Sequence, residues 1–387
     1  MKKDWTYKKL GEVAEIKAGF TPSATDLHDN GAIPYYKVSD MNTVGNEVVL
    51  TKTSLYTDES KKSFPKGSIV FPKNGAAIAT NKKRILGYNS IVDLNTGVCI
   101  FDSQVQTKYG YYWFQNIDFR NYTRGGALPT LDIKTLKSKS LPIPPLVDQE
   151  LIVRELDAIH GILDKKQEQL RELDHLAQAI FYEMFGDPIT NPKQWEVKKL
   201  GEVADTFRGL TYSKKDEVII SSKGVLRSNN IDLSSHELNF DEIKYLREDF
   251  VVPEDKKVKK DSIFICMSNG SMQHLGKVAY VDKDYGFAFG GFMGLIVPHK
   301  TICSKYFYYN LLSPVFLSCI LKNGKGANIN NLKFTDIEQF QIPLPPLSLQ
   351  QSFAAKIEAI EAQKTAIRQS INETKALLAQ RMDHYFA

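Results

Sequence analysis

Two long stretches of the chain place apolar residues at alternate steps of four and three. The first seam is Ile152, Leu156, Ile159, Leu163, Lys166, Leu170, Leu173, Ala177, Ile180 and Met184. The second is Phe353, Ile357, Ile360, Lys364, Ile367, Ile371, Thr374, Leu378, Arg381 and Tyr385. This is a/d heptad spacing. It predicts two helices of about 35 to 40 residues, each roughly 50 to 60 Å long at 1.5 Å per residue. Each follows a proline-rich segment, SLPIPPL from Ser140 or QIPLPPL from Gln341, and proline holds such a segment extended and marks a boundary. No proline follows Pro145 until Pro188, and none follows Pro346. A whole apolar stripe is not stable in water, so the two helices are expected to pack on each other. The first leads through Gly186, Asp187 and Pro188 directly into the next globular segment, and the second begins only when that segment has finished. With a globular head at each end, the pair must run antiparallel.

The chain also repeats itself. WTYKKLGEVAEIKAGF at Trp5–Phe20 returns as WEVKKLGEVADTFRGL at Trp195–Leu210, an offset of 190. The proline-rich segments return at an offset of 201, so the second copy holds about eleven extra residues. TRGGALPTLDIKTL at Thr123–Leu136 matches GKGANINNLKFTDI at Gly324–Ile337 only in outline. Constant edges around divergent middles suggest one scaffold adapted to two targets. Within each copy, GSIVF at Gly67–Phe71 and DSIFIC at Asp261–Cys266 read as strands that run into Asn74-Gly75 and Asn269-Gly270, which are turn signals. YYWFQN at Tyr111–Asn116 and FYYNLL at Phe307–Leu312 read as aromatic helical segments of the core. The fold class is therefore α+β: two similar mixed α/β heads, residues 1–145 and 188–345, joined by two long antiparallel coiled-coil helices, residues 146–187 and 346–387.

The composition is that of a globular protein, with 42% hydrophobic and 25% charged residues in 387. Four cysteines without metal-ligand spacing, no leader-like apolar run after the first lysines, and no stretch of about 20 apolar residues point to a cytoplasmic protein without a membrane segment. Charge is divided unevenly. Residues 1–145 hold 20 basic and 13 acidic side chains, and residues 146–190 hold 4 and 10. Residues 191–345 hold 21 and 18, and residues 346–387 hold 5 and 4. A basic first head is the footprint that nucleic acid requires, because phosphate contacts supply much of its affinity. The acidic first helix should stay clear of DNA and be free for protein partners. No nucleotide-binding glycine loop, amino-methyltransferase tetrapeptide or metal-ligand histidine cluster is present, and the one Glu-x-Lys pattern, Glu254 to Lys256, is common in lysine-rich chains. Nothing in the sequence supports catalysis.

Taken together, these marks resemble the specificity subunit of Type I restriction-modification systems along essentially the whole chain. The resemblance rests on W-x-x-x-x-L-G-E opening each half, Lys37–Asp40 and Arg227–Asn230, the strands entering Asn-Gly, the P-x-P-P-L endings followed by Gln149 and Gln350, and FYEMFGDP at Phe181–Pro188. It implies a non-catalytic, DNA-binding subunit with two target-recognition domains that reads a bipartite, asymmetric sequence in double-stranded DNA, the helices acting as spacer. It further implies two methyltransferase subunits, which bring S-adenosylmethionine and methylate adenine N6, and two restriction motor subunits, which bring ATP and Mg; the chain itself holds no cofactor or metal. The alternative is a two-headed coiled-coil scaffold or assembly protein without specific DNA recognition.

Candidate DNA-binding residues in the first head are Lys37, Lys73, Asn74, Asn81, Lys82, Lys83, Arg84 and Arg124. Those in the second are Arg227, Asn229, Ser268, Asn269, Gln273, His274, Lys277 and Lys325. Arg, Lys, Asn and Gln are the usual readers of base edges, and Lys82–Arg84 would serve equally as a phosphate clamp. Lys37 with Arg227, and Arg124 with Lys325, occupy matching positions of the repeat.

Overall fold

A computed structural model describes residues 5–126, 128–233, 235–323 and 331–387. The chain divides into two compact units, Met1–Gln167 with Gln369–Ala387, and Glu168–Arg368.

In the first unit a five-stranded sheet runs in the order Ala14–Ala18, Thr96–Phe101, Ile69–Pro72, Arg84–Leu86, Val49–Leu50. A three-stranded sheet places Ile33–Tyr36 between Tyr56–Thr57 and Ile91–Val92. The Ile69–Pro72 strand is buried along its length, as its continuous apolar run requires. The helix Thr107–Gln115 packs Tyr109, Trp113 and Phe114 into the core, with the Tyr109 hydroxyl donating to the Pro142 carbonyl at 2.9 Å.

The second unit has two four-stranded sheets. One runs Ala204–Arg208, Met293–Pro298, Ile263–Cys266, Val278–Tyr280. The other runs Glu217–Val218, Lys244–Leu246, Lys223–Leu226, Ala288–Phe289. Its aromatic helix, Ser304–Leu311, repeats the buried tyrosine: the Tyr306 hydroxyl donates to the Pro343 carbonyl at 2.7 Å. A further helix, Pro314–Asn323, has no counterpart among the described elements of the first unit.

The constant edges of the repeat turn out to be partners. Thr6–Lys9 pairs antiparallel with Ser140–Ile143, and Glu196–Lys199 with Gln341–Leu344, so the opening tryptophan segment and the proline-rich ending close each head together. The Glu of each Leu-Gly-Glu accepts from a backbone N–H three residues earlier, Lys9 to Glu12 at 2.8 Å and Lys199 to Glu202 at 2.7 Å. The glutamine after each ending is buried and fastens the head to the helix that follows. Gln149 accepts from the Gln106 N–H and donates to the Gln104 and Pro144 carbonyls, while Gln350 accepts from the Cys303 N–H and donates to the Pro345 carbonyl.

The long helices run Leu146–Phe185 and Leu347–Phe386. In the first unit, Ile152 and Leu156 pack with Leu378, Met382 and Phe386; Glu155 meets Arg381 and Tyr385, and Lys166 donates to the Thr374 hydroxyl at 2.9 Å. In the second unit, Phe181 and Phe185 pack against Phe353, and Asp174 meets Lys364. Within each unit the partner's number falls as the first helix's rises, so the pairing is antiparallel. The seam residues Ile152, Leu156, Ile159, Leu163, Phe353, Ile357, Ile360 and Ile371 are buried, while Leu170, Leu173, Ile180, Ile367 and Leu378 are half-buried.

Candidate nucleic-acid interface

At one edge of each head, loops from strands far apart in sequence meet. In the first unit the Asp93 carboxylate accepts from the Val38 N–H at 3.1 Å and the Asn95 N–H at 2.9 Å, which ties the Lys37 turn to the 93–96 loop. The Lys73 N–H donates to the Asn95 carbonyl, and the Lys73 carbonyl accepts from the Leu131 N–H. Thr130–Leu131 pairs with Thr123–Arg124, so Arg124 joins the same edge, where it pairs with Asp132. Lys37, Lys73, Asn74 and Arg124 are therefore brought together. Lys37 and Arg124 are exposed, Lys73 and Asn74 half-buried.

The second unit builds the same edge with other side chains. The Met267 and Ser268 N–H groups donate to the Phe292 carbonyl, and the Met267 carbonyl accepts from the Leu332 N–H. The Asn269 side-chain amide donates to the Ser228 hydroxyl at 2.8 Å, which brings Asn269 against the Arg227–Asn229 turn. The Asn229 amide donates to the Glu242 carbonyl at 3.1 Å, so that side chain is partly committed to its own head. Gln273 is exposed and His274 half-buried, on a turn held by the His274 N–H to the Ser271 carbonyl; no contact ties them to this edge among those described. Lys325 lies outside the described residues.

Contacts give the true correspondence of the two edges. Lys37 matches Arg227 at an offset of 190, Lys73 matches Met267 at 194 through their shared pairing to Leu131 and Leu332, and Gly97 matches Gly294 at 197 through the strand registers. Asn74 thus answers to Ser268, and the two Asn-Gly pairs are one residue out of step. The loops at Asp93–Asn95 and Gly290–Phe292, and with them Asn95 and Phe292, were missed by sequence reasoning. The glycines that follow them, Gly97 and Gly294, were the available signal.

Three of the first-head candidates, Asn81, Lys83 and Arg84, are committed to contacts within their own head. Lys83 is completely buried, its ammonium donating to the Asn81 side-chain oxygen and the Ile117 carbonyl, both at 2.6 Å, over the Phe119 ring. Asn81 is in the left-handed region (φ 54°) and also accepts from the Phe119 N–H, which makes it a structural cap. The Arg84 guanidinium donates to the Lys83 and Met41 carbonyls and lines a cavity of about 1030 Å³ with Asp157 and His160. Lys82 keeps a half-exposed side chain that donates to Asn42. The phosphate clamp expected at Lys82–Arg84 is thereby reduced to Lys82. Lys277 is buried in the second unit in the corresponding place before its strand, donating to the Ile231 carbonyl at 3.0 Å. Sequence could not reveal these two lysines as interior, because each has a distant backbone carbonyl as a partner, Ile117 for Lys83 and Ile231 for Lys277, which leaves no trace in side-chain pattern.

Burial without a carboxylate in contact pushes the Lys83 ammonium down to about 7, the nearby Asp118 charge opposing only in part. The unfolded chain therefore binds more protons than the folded one between about pH 7 and the ordinary lysine value near 10.4, and stability rises across that window. We expect Lys83→Met to flatten the rise. Denaturant unfolding at pH 7 and pH 9.5 checks it, and an equal slope in both proteins would show that the ammonium is not confined.

Among the described residues there is no cluster of His, Cys, Asp and Glu suited to a metal ion, and no helix long and apolar enough to cross a membrane. Residues 2–174 and 192–375 match the family model described as the Type I restriction modification DNA specificity domain. The chain is 30% identical over 193 residues to the EcoKI specificity subunit of Escherichia coli K12, a match covering 49% of this chain and 39% of that one. It is 25% identical over 403 residues to the MjaIX specificity subunit of Methanocaldococcus jannaschii, covering 92% of this chain and 87% of that one. The fold resembles the crystal structure of the Type-I restriction-modification S subunit from M. genitalium, with a TM-score of 0.56 at 16% identity over 99% of this chain and 96% of that one. A chain from a structural study of type I R-M complex assembly scores 0.60 at 16% identity, over 99% and 97%.

Proposed function

The chain belongs to the Type I restriction-modification DNA specificity family, and from that premise we propose that each unit reads one half of a bipartite, asymmetric site in double-stranded DNA through its loop edge. Specificity subunits of this kind are not catalysts; they direct methyltransferase and restriction subunits to their target. The observation that carries the reading is the repeated edge: one backbone framework, built twice, presents Lys37, Lys73, Asn74, Asn95 and Arg124 in one unit and Arg227, Ser268, Asn269 and Phe292 in the other. Equal backbones with unequal side chains are what two different half-sites demand, since base edges are distinguished by donor and acceptor patterns.

The long helices are the proposed docking surface for two methyltransferase subunits, which bring S-adenosylmethionine for transfer to adenine N6, and for two restriction subunits using ATP and Mg, all within the cytoplasm. Leu151, Ile162, Leu176 and Tyr182 on the first helix remain exposed, apolar surface that partners could cover.

Replacing residues 1–145 with the first head of a different specificity subunit, then sequencing the methylome of cells that also express the cognate methyltransferase subunit, tests the assignment. One half of the methylated motif should change while the other half stays. A change in both halves, or methylation independent of this chain, would favour a scaffold without recognition.

A further inference from the structure

We propose that Phe292 is a DNA-contacting residue, placing an apolar ring against a base in the half-site of the second unit. The inference rests on the loop edge being the DNA interface. Phe292 is 72% exposed, whereas Phe289, three residues earlier on the same turn, is fully buried. The turn between them is pinned on three sides. Its Gly290 N–H donates to the Leu226 carbonyl at 2.9 Å, the Met293 N–H returns to the Gly290 carbonyl at 2.8 Å, and the Phe292 carbonyl accepts from both Met267 and Ser268, at 2.9 and 3.0 Å.

An exposed aromatic on a fixed backbone loses little freedom on binding, because its position is set before the partner arrives. Its neighbourhood names the partner. Arg227, which immediately follows Leu226, and Ser268 and Asn269, which immediately follow Met267, are hydrogen-bonding side chains of the kind that read base edges. A protein partner would call for a wider apolar patch. A ring among base-reading groups suits the apolar face of a base, by contact with a thymine methyl or by stacking on an unstacked step. In the first unit the matching carbonyl belongs to Asn95, a side chain that offers hydrogen bonds instead, so the two edges differ in chemistry at the same backbone position.

The test uses the full chain in complex with its methyltransferase subunit, and three duplexes: the motif that this complex methylates, as methylome sequencing reads it, that motif scrambled in its first half, and that motif scrambled in its second half. Phe292→Ala should bind the intact motif about tenfold or more weakly, lose a similar factor when only the first half is scrambled, and match the wild type when the second half is scrambled. Thermal unfolding should be unchanged, as the ring is mostly solvated. If the wild type separates the duplexes but Phe292→Ala binds the intact motif equally well, or weakens equally on all three, the role of Phe292 is overturned and the interface stands. If the wild type does not separate them, the loop-edge reading itself has failed, and this inference with it.

Discussion

Alanine at Gly209 is expected to abolish recognition of the second half-site and to leave the first intact; alanine at Gly19 should do the reverse. These glycines close the two matching segments IKAGF and TFRGL, and their backbones pass directly against the turns that form the loop edges. A Cβ on Gly209 would lie 2.0 Å from the Gly290 carbonyl oxygen and 2.7 Å from that of Phe289. On Gly19 it would lie 2.0 Å from the Asp93 oxygen and 2.5 Å from that of Val92. Neither obstacle is a side chain that could swing aside. Both are backbone held in hydrogen bonds, Leu210 N–H to the Phe289 carbonyl at 2.7 Å and Phe20 N–H to the Val92 carbonyl at 2.8 Å. Relief requires the turn to move by a large part of an ångström, carrying Phe292 or Asn95 with it, and overpacking of this kind costs about 1 to 3 kcal/mol or more. Methylome sequencing of each variant should show a motif degenerate in one half. Loss of both halves with loss of the methyltransferase complex would mean the substitution acts on folding, and an unaltered motif would mean that these turns do not position the readers.

The helices were legible because their signals are local. A heptad stripe from Ile152 to Met184 and a proline pair before it say the same thing at every scale, and the seam positions are buried or half-buried accordingly. That Thr6–Lys9 pairs with Ser140–Ile143 was not visible, yet both partners had been singled out as the constant parts of the repeat. The loop edge was harder to see for a geometric reason. Its members are separated by whole strands, and the offset between copies drifts from 190 to 201 inside the head, so alignment by a single shift pairs the wrong residues. Lys37, Lys73, Asn74 and Arg124 stand out as candidates because basic and amide side chains beside turns are conspicuous, and the structure places them on one edge. Phe292 does not stand out, since nothing in FGGFMG marks which of its two phenylalanines faces solvent. Lys82, Lys83 and Arg84 show the opposite error: three adjacent charges look like a surface patch, but Lys83 turns inward to the Asn81 side chain and the Ile117 carbonyl, and carbonyls take up the Arg84 guanidinium.

Charge inside the helix seam predicts the other large effect. Lys364→Ala should destabilise the second unit by about 1 to 3 kcal/mol, below the range for a fully buried pair because its carboxylate partners are a third to nearly half exposed and water screens the charges left behind. Lys364 is 4% exposed, with its ammonium 2.8 Å from Asp174, 3.0 Å from Glu361 and 3.3 Å from Glu237. Burial works to lower its pKa, but the Asp174 and Glu361 carboxylates prevail and hold it above the ordinary lysine value. A raised value means that the charge contributes stability fully below the unfolded lysine range and loses it only as pH climbs through the folded value, so the whole effect is present at neutral pH. Without the ammonium, three carboxylates face one another, with Arg368 beside Glu237 as the one cation paired to them among the described residues. Asp174→Asn should then rescue part of the loss, and the double variant should be less unstable than the sum of the singles by about 1 to 3 kcal/mol. Lys166 in the first unit provides the contrast: among the described residues it meets the Ser370 and Thr374 hydroxyls and no carboxylate, and it is half-exposed, so Lys166→Met should cost about 1 kcal/mol or less, the net worth of ordinary hydrogen bonds. Hydrogen exchange along Leu347–Phe386 separates the two, because Lys364→Ala should lower protection in residues 347–368 and Lys166→Met should leave both halves of the helix protected. Equal protection in the wild type and Lys364→Ala would show that the cluster is neutral to stability.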